Sequence, residues 1–376
     1  MIHERPQGGD RALLVALDFG AGDQRERLAE LTALAVSAGA TVAGAVSGRR
    51  QRPDAALFAG KGKVEEIGAR RIETGADVVI FDHALSGAQQ RNLEKTLECR
   101  VVDRTALILD IFALRARSAE GKLQVELAQV SHQLTRLVGG WTHLERQKGG
   151  IGLRGPGEKQ LETDRRLLGI RVKVLNGRLA QVARQRITQA RTRRRAEVRT
   201  VALVGYTNAG KSTLFNRLTG ARAFAADQLF ATLDTTLRRI HVAGSAPIVL
   251  SDTVGFIRDL PHDLVAAFRA TLAEAAQADL LLHVIDASHP NRDGQIAAVD
   301  AVLEEIGADH VPQIRVYNKI DATGIAPGGE RDPSGILNVV RASALTGAGC
   351  VELRAALAER FPARAPRAAA ASIANA

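Results

Sequence analysis

Gly205-Tyr206-Thr207-Asn208-Ala209-Gly210-Lys211-Ser212 carries the spacing G-x-x-x-x-G-K-[ST], between the apolar run 201–204 and the helix-like Thr213-Leu214-Phe215. Phosphate binding needs that setting: a strand delivers the chain to a glycine-rich turn, and backbone N–H groups at the next helix start face the phosphate oxygens. Lys211 would add a point charge at the outer phosphates, and the Ser212 hydroxyl would take one position on a Mg²⁺ ion. A plain glycine-rich turn with a surface lysine would account for the glycines but for neither flank.

The base is read further along. Asn318-Lys319-Ile320-Asp321 follows the apolar segment 314–317, so it falls just past the carboxyl end of a strand, where open α/β sheets bind ligands. A carboxylate at Asp321 accepts from two guanine N–H donors. Adenine has no matching pair and would leave the charge unpaired. The Lys319 stem would lie over the base and Asn318 would brace the loop. Asp252-Thr253-Val254-Gly255, after the apolar run 248–250, suits Asp252 to a metal-bound water and Gly255 to close approach by the γ-phosphate. Ser343-Ala344-Leu345 ends another strand-like run, 339–342. In this order the short motifs resemble the set of translation-type GTPases, although each is weak alone.

Between the phosphate loop and Asp252 lies Leu229-Phe230-Ala231-Thr232-Leu233-Asp234-Thr235-Thr236, without clean periodicity, as expected of a switch segment. One threonine should complete the Mg²⁺ shell. Thr232, Thr235 and Thr236 compete for that role, and all three could instead open the strand expected over 237–242.

Hydrolysis of the γ-phosphate depends on positioning and charge, and a polar residue commonly orients the water. After Gly255 comes Phe256, whose ring can neither accept a proton nor hold a water. No catalytic residue is identified, so the expectation is slow intrinsic hydrolysis accelerated by a partner. The Asn208 carbonyl oxygen could help hold a monovalent cation, which is potassium in related GTPases with asparagine here. The alternative is a turn residue tolerating positive φ.

These motifs need a scaffold, expected as an α/β chain in three parts. Residues 1–117 alternate strand and helix signals (strands at 12–19, 41–46, 77–81 and 99–102), which predicts a small α/β domain with a largely parallel sheet. In 118–197, Leu123, Leu127, Val130, Leu134 and Leu137 form a heptad seam. Leu161, Leu168, Leu175 and Val182, with Val172 and Leu179, form a second. Two seams predict a long antiparallel helical hairpin, with a glycine-rich basic tip loop at 139–157. Residues 198–363 read as a phosphate-loop GTPase domain with a mixed, mostly parallel sheet, and 364–376 as a disordered tail. Gly60-Lys61-Gly62-Lys63 could touch phosphate or RNA at a helix start but is too short for a motif and is expected as a capping loop. Asp103 is expected to cap the next helix, and Lys61 and Lys63 are the sole hint of an N-terminal ATPase activity.

The chain has 376 residues and a formal charge of +10, and its 45% hydrophobic share is enough for packed cores. Residues 145–199 hold 16 Lys or Arg against 5 Asp or Glu, so the remainder is nearly neutral. Arginines on a long helix suit the phosphates and shape of structured RNA, whereas a solvated face with internal ion pairs is the plainer reading. The two cysteines, Cys99 and Cys350, are too few for a disulfide framework and fit a reducing compartment. No signal-peptide core and no run of about twenty apolar residues is found, so a cytoplasmic monomer without stable membrane insertion is expected.

Beyond the nucleotide motifs, Gly150-Ile151-Gly152-Leu153-Arg154-Gly155-Pro156-Gly157-Glu158 continues as Lys159-Gln160-Leu161-Glu162-Thr163-Asp164-Arg165-Arg166. With residues 205–212, 230–234 and 252–256, this stretch resembles the HflX family of ribosome-associated GTPases over roughly 12–361. The resemblance implies binding to the large (50S) ribosomal subunit and its rRNA, not DNA. It also implies a hairpin loop inserted near the peptidyl-transferase centre, and splitting of stalled or idle 70S ribosomes in the GTP state, with hydrolysis releasing the factor. It favours Thr232 beside Ser212 as a Mg²⁺ ligand and makes Arg154, Lys159, Arg165 and Arg166 RNA-contact candidates. Two departures stand out: Leu233-Asp234-Thr235-Thr236 lacks the proline relatives usually place after the aspartate, and only a short tail stands where some relatives carry a further domain. An rRNA-binding assembly GTPase and a protein-binding signalling GTPase are the alternative functions.

Overall fold

Residues 12–17 are apolar without interruption, and β1 (Arg11–Asp18) buries them all, as a strand covered on both faces must. In this computed structural model, which describes residues 9–20, 23–138, 156–195, 198–221, 228–259, 264, 272 and 274–363, β1 is flanked in parallel by β2 (Thr41–Arg49) and β3 (Val78–Phe81). Then β4 (Arg100–Asp103) pairs with β3, giving the order β2-β1-β3-β4. The helices between them start where short polar side chains can cap them. Asp23 accepts from Arg25 N ahead of α1 (Gln24–Ser37), and Ser86 and Gln89 form a capping box on α3 (Gly87–Leu97). Asp103 accepts from Ala106 N at the head of α4 (Arg104–Arg115). The lysine–glycine stretch is a helix start: Gly60, at φ 77°, precedes α2 (Lys61–Thr74), and Lys63 Nζ is engaged by Ser47 O and Glu66.

The heptad seams fold as α5 (Ala119–Val138) and α6 (Pro156–Arg195), the latter spanning about 60 Å at 1.5 Å per residue. Leu127, Val130 and Leu175 are buried together, with Leu123, Leu168, Val172 and Leu179 packed on them. Leu134, Leu137 and Val182 are half-buried and outside that cluster, so the seam is tight only in its middle. α6 starts at Pro156, inside the span expected as loop, because a proline fits the first helical turn where no N–H partner is needed. Residues 139–155 and the tail 364–376 lie outside the described residues.

One compact unit comprises Met1–Ala183 together with Gln228–Leu233 and Asp259–Phe268, and the other holds Arg184–Asp227, Asp234–Arg258 and Arg269–Ala376. The second is built on β5 (Arg199–Val204), β6 (Thr236–Ile240), β7 (Ile248–Asp252), β8 (Leu280–Asp286), β9 (Gln313–Asn318), β10 (Gly328–Arg331) and β11 (Leu337–Arg341). Their order is β10-β11-β9-β8-β5-β7-β6. Only β6 on β7 and β10 on β11 run antiparallel, so the sheet is mixed and mostly parallel. Helices α7 (Lys211–Thr219), α8 (Arg292–Glu305) and α9 (Cys350–Arg360) flank it. The chain leaves β5 toward β7 on one side and β8 on the other. The crevice past the end of β5 is therefore where such a sheet takes a ligand.

Candidate guanine nucleotide site

The phosphate loop occupies that crevice. Gly205 has φ 147°, and a Cβ there would stand 2.2 Å from Val284 O on the neighbouring strand. Gly210, at φ 93°, leads into α7, and its Cβ would stand 2.2 Å from Asn318 Nδ2. Both positions require glycine for conformation and for space. Asn208 is exposed in the left-handed region at φ 62°, matching its reading as a turn residue.

Lys211 is buried at the start of α7. Its Nζ donates to Gly205 O (3.0 Å) and Tyr206 O (2.8 Å), and burial pushes its pKa down to about 8 against the opposing attraction of Asp252. A buried ammonium whose hydrogen bonds go to neutral carbonyls is under-compensated, and a phosphate oxygen would supply further negative charge. Thr207 Oγ1 is also buried and has no hydrogen-bond partner among the described residues. Both observations fit a phosphate ligand in this loop.

Ser212 Oγ donates to Asp252 Oδ2 at 2.7 Å, which joins the two side chains expected around Mg²⁺. Among the described residues no group of three or more His, Cys, Asp or Glu could cage a metal. A hydroxyl and one carboxylate beside the phosphates fit Mg²⁺, which keeps its waters and binds few protein ligands. Thr253 is buried with Oγ1 on Leu203 O (2.6 Å), and Val254 is buried beside it. At Gly255 a Cβ would come within 2.9 Å of Lys211 Nζ and of Thr207 Cα. Phe256 is 0% exposed, so its ring is packed away from any attacking water.

The Asn318–Asp321 loop is tied to the phosphate loop by the Asn318 side chain. Asn318 Nδ2 donates to Ala209 O (2.8 Å), and Asn318 Oδ1 accepts from Ala344 N (2.9 Å), which is the bracing role expected of it. Lys319 is left-handed (φ 63°), and its Nζ reaches Asp286 Oδ2 at 2.6 Å. Asp321 is exposed in the 3-10 turn Ile320–Ala322, whose Ile320 is buried. Ser343 is buried with Oγ accepting from Thr346 N (3.1 Å), and Leu345 is exposed. Asp286 escaped the sequence reading. It closes β8 opposite Asn318, a pairing that the sheet register sets and no local sequence pattern shows.

The switch segment divides. Gln228–Leu233 belongs to the first unit, and Asp234 to the second. Within the first unit, Leu229 N donates to Ser37 Oγ (3.1 Å). Gln228 accepts from Arg115, and Phe230, left-handed at φ 55°, stacks edge-on against Phe112 at 4.7 Å. Ala231 and Thr232 are half-buried and Leu233 is buried. Thr235 Oγ1 is buried without a hydrogen-bond partner among the described residues, and Thr236 opens β6. On α6, Arg165 and Arg166 are exposed and Lys159 lies in its first turn, whereas Arg154 is outside the described residues. Arg171 pairs with Glu126 on α5, so part of the basic face is spent on an internal ion pair.

Comparison with known proteins covers most of the chain. Residues 25–113 match the family described as GTP-binding GTPase N-terminal, residues 115–194 its middle region, and residues 200–319 the family described as 50S ribosome-binding GTPase. GTPase HflX of Escherichia coli (strain K12) is 58% identical over 361 residues, covering 96% of this chain and 85% of the relative. The Caldanaerobacter subterraneus subsp. tengcongensis HflX is 49% identical, covering 87% and 76%. Among solved structures, the complex of SsGBP with GDP aligns over 93% of this chain and 98% of its own, with 25% identity and a TM-score of 0.51. With that identity sustained from the first sheet through the second, the chain is a GTPase and belongs to the HflX family.

Proposed function

We propose that this GTPase binds the large ribosomal subunit and its rRNA and, with GTP bound, splits stalled or idle 70S ribosomes. Hydrolysis, stimulated by the ribosome, then releases it. The observation that carries the reading is the pairing of a guanine nucleotide site with α6, whose exposed Arg165, Arg166 and Arg178 present guanidinium groups to solvent. A family match described as 50S ribosome-binding GTPase supports the partner, and arginine-rich surface supports RNA as the contacted chemistry.

In this reading Asp321 selects guanine, Lys211 and the loop amides hold the phosphates, and Gly255 meets the γ-phosphate. Ser212, with Thr232 and a water on Asp252, holds the Mg²⁺ that neutralises phosphate charge. Potassium beside Asn208 would add a second cation, and hydrolysis should then run faster in K⁺ than in Na⁺ at equal ionic strength. With Phe256 packed away, the water-orienting group comes from elsewhere, which is why intrinsic turnover is slow and the ribosome accelerates it. A cytoplasmic monomer suits this role, and among the described residues no helix is long and apolar enough to cross a membrane.

Co-sedimentation with 50S and 70S particles in GDP and in a non-hydrolysable GTP analogue tests the proposal. Analogue-dependent binding with loss of the 70S peak is expected. Equal affinity in the two nucleotide states would refute it, since a ligand without differential affinity shifts no equilibrium. Binding without loss of 70S would favour the assembly GTPase.

A further inference from the structure

The backbone of residues 255–258 is stitched to the phosphate loop. Phe256 N donates to Gly205 O (3.1 Å) and Thr207 N donates to Phe256 O (2.7 Å), so Tyr206 and Phe256 form a parallel bridge. That bridge carries the pairing of β5 with β7 past the strand ends and into the site. A further bond closes the stitch two residues on, where Arg258 N donates to the phenol oxygen of Tyr206 at 2.9 Å. Tyr206 is buried, as are Phe256 and Ile257, which lie inside the closed turn. The phosphate-loop pattern places no demand on its second residue. A tyrosine there, long enough to reach the backbone of residue 258, therefore calls for its own explanation.

Gly255 stands at the head of this turn, close enough to Lys211 Nζ that an added Cβ would lie 2.9 Å from it. We infer that Tyr206 is a positioning residue for the γ-phosphate: by accepting from Arg258 N it holds the 255–258 backbone against the phosphate loop. It thereby presents the Gly255 N–H to the outer phosphate and raises the preference for GTP over GDP. The inference rests on Gly255 being the γ-phosphate contact. A turn held at both ends has little freedom left to lose when a ligand fixes it, whereas a turn released at residue 258 must be ordered by the ligand. GDP lacks the group that meets Gly255, so the added cost falls on GTP alone.

Tyr206→Phe keeps the ring and deletes the hydroxyl, and with it the bond from Arg258 N. In the full chain with Mg²⁺, affinities for fluorescent GDP and for a fluorescent non-hydrolysable GTP analogue should be compared, together with single-turnover GTP hydrolysis. The expected result is GDP affinity within about twofold of the parent, analogue affinity lower by roughly fivefold to tenfold, and a hydrolysis rate reduced at least as much. An equal loss for both nucleotides, the mark of a packing role, would overturn the inference, as would an unchanged ratio. In a Gly255→Ala background, Tyr206→Phe should shift the ratio no further, and a fully additive loss would show a route that bypasses Gly255. If Gly255→Ala alone leaves the ratio at its parental value, the γ-phosphate contact itself is misassigned. The inference then falls with that reading and not through the tyrosine.

Discussion

Both sheets end their parallel strands in buried aspartates, yet the two edges do opposite things. In the first unit Asp82, just past β3, accepts from Arg27 (2.8 Å) and Arg104 (2.7 Å), and Asp103 at the end of β4 accepts from Arg136 (2.5 Å). Arg104 also meets Glu30, so the edge is closed by its own guanidinium groups. In the second unit Asp252, at the end of β7, accepts from the Ser212 hydroxyl at 2.7 Å and attracts the buried Lys211, whose pKa burial lowers. An aspartate at a strand end is thus no sign of a ligand site by itself. What differs is the groups gathered at each edge: guanidinium groups on the carboxylates of the first, and a hydroxyl with a buried lysine bonded to carbonyl oxygens at the second.

The comparison can be broken most directly at its two cations. Lys211→Ala should cost nucleotide binding about 2–5 kcal/mol, the loss expected on truncating one partner of a buried charge contact, whereas Lys63→Ala at the first edge should leave it unchanged. Fluorescent-GDP titration of both variants checks this, and a comparable loss from Lys63→Ala would give the first edge a nucleotide role.

Arg104→Ala should act in the other sense. Stripping a guanidinium from the buried Asp82 should destabilise the fold by about 3–5 kcal/mol while the folded fraction binds GDP as before, which denaturation and titration of the same sample would read.

A smaller effect follows from proton linkage. The empty protein loses the Lys211 proton near pH 8, whereas bound phosphate would hold it on. GDP affinity should therefore fall as pH rises above 8, by at most about tenfold per unit, with proton uptake on binding. The sign for folding is reversed: the unfolded chain keeps this proton up to about 10.5, so between about 8 and 10.5 the empty protein gains stability from this group as pH rises. Calorimetry in buffers of different ionisation enthalpy separates uptake from release.

The smallest effect belongs to His283, which lies within β8 and not at its end. Burial pushes its pKa down to about 4, and the charge of Arg315 adds to the shift. Because the unfolded histidine binds its proton near 6.5, this group's contribution to stability is lost as pH falls from about 6.5 toward 4. Between pH 7 and 6 the loss is less than about 1 kcal/mol. His283→Leu should flatten that slope and leave GDP affinity alone; a change in affinity would extend the ligand-responsive region into the strand interior.

The nucleotide motifs were legible because their chemistry is local: glycines where a Cβ would strike Val284 O or Asn318 Nδ2, a lysine one residue after the loop, and a carboxylate after each strand. The Asp103 cap was legible for the same reason, since it bonds to backbone three residues away. The seam was legible as a period but not in extent, because heptad spacing does not reveal how far two helices stay in contact. What stayed hidden were partnerships set by the fold: Arg27 with Asp82, Lys319 with Asp286, Phe230 on Phe112, and Tyr206 with Arg258. These join residues dozens to more than a hundred positions apart, and no local pattern selects one arginine or one aromatic from the rest.

Asn318 has a consequence in time as well as in space. One carboxamide holds Ala209 O with its nitrogen and Ala344 N with its oxygen, across 109 and 26 residues of sequence. Three loops that the chain makes separately can therefore open only together, and their amides should exchange with solvent as one cooperative unit. Guanosine, which has no phosphate at all, should then slow hydrogen exchange in the phosphate loop that it never touches.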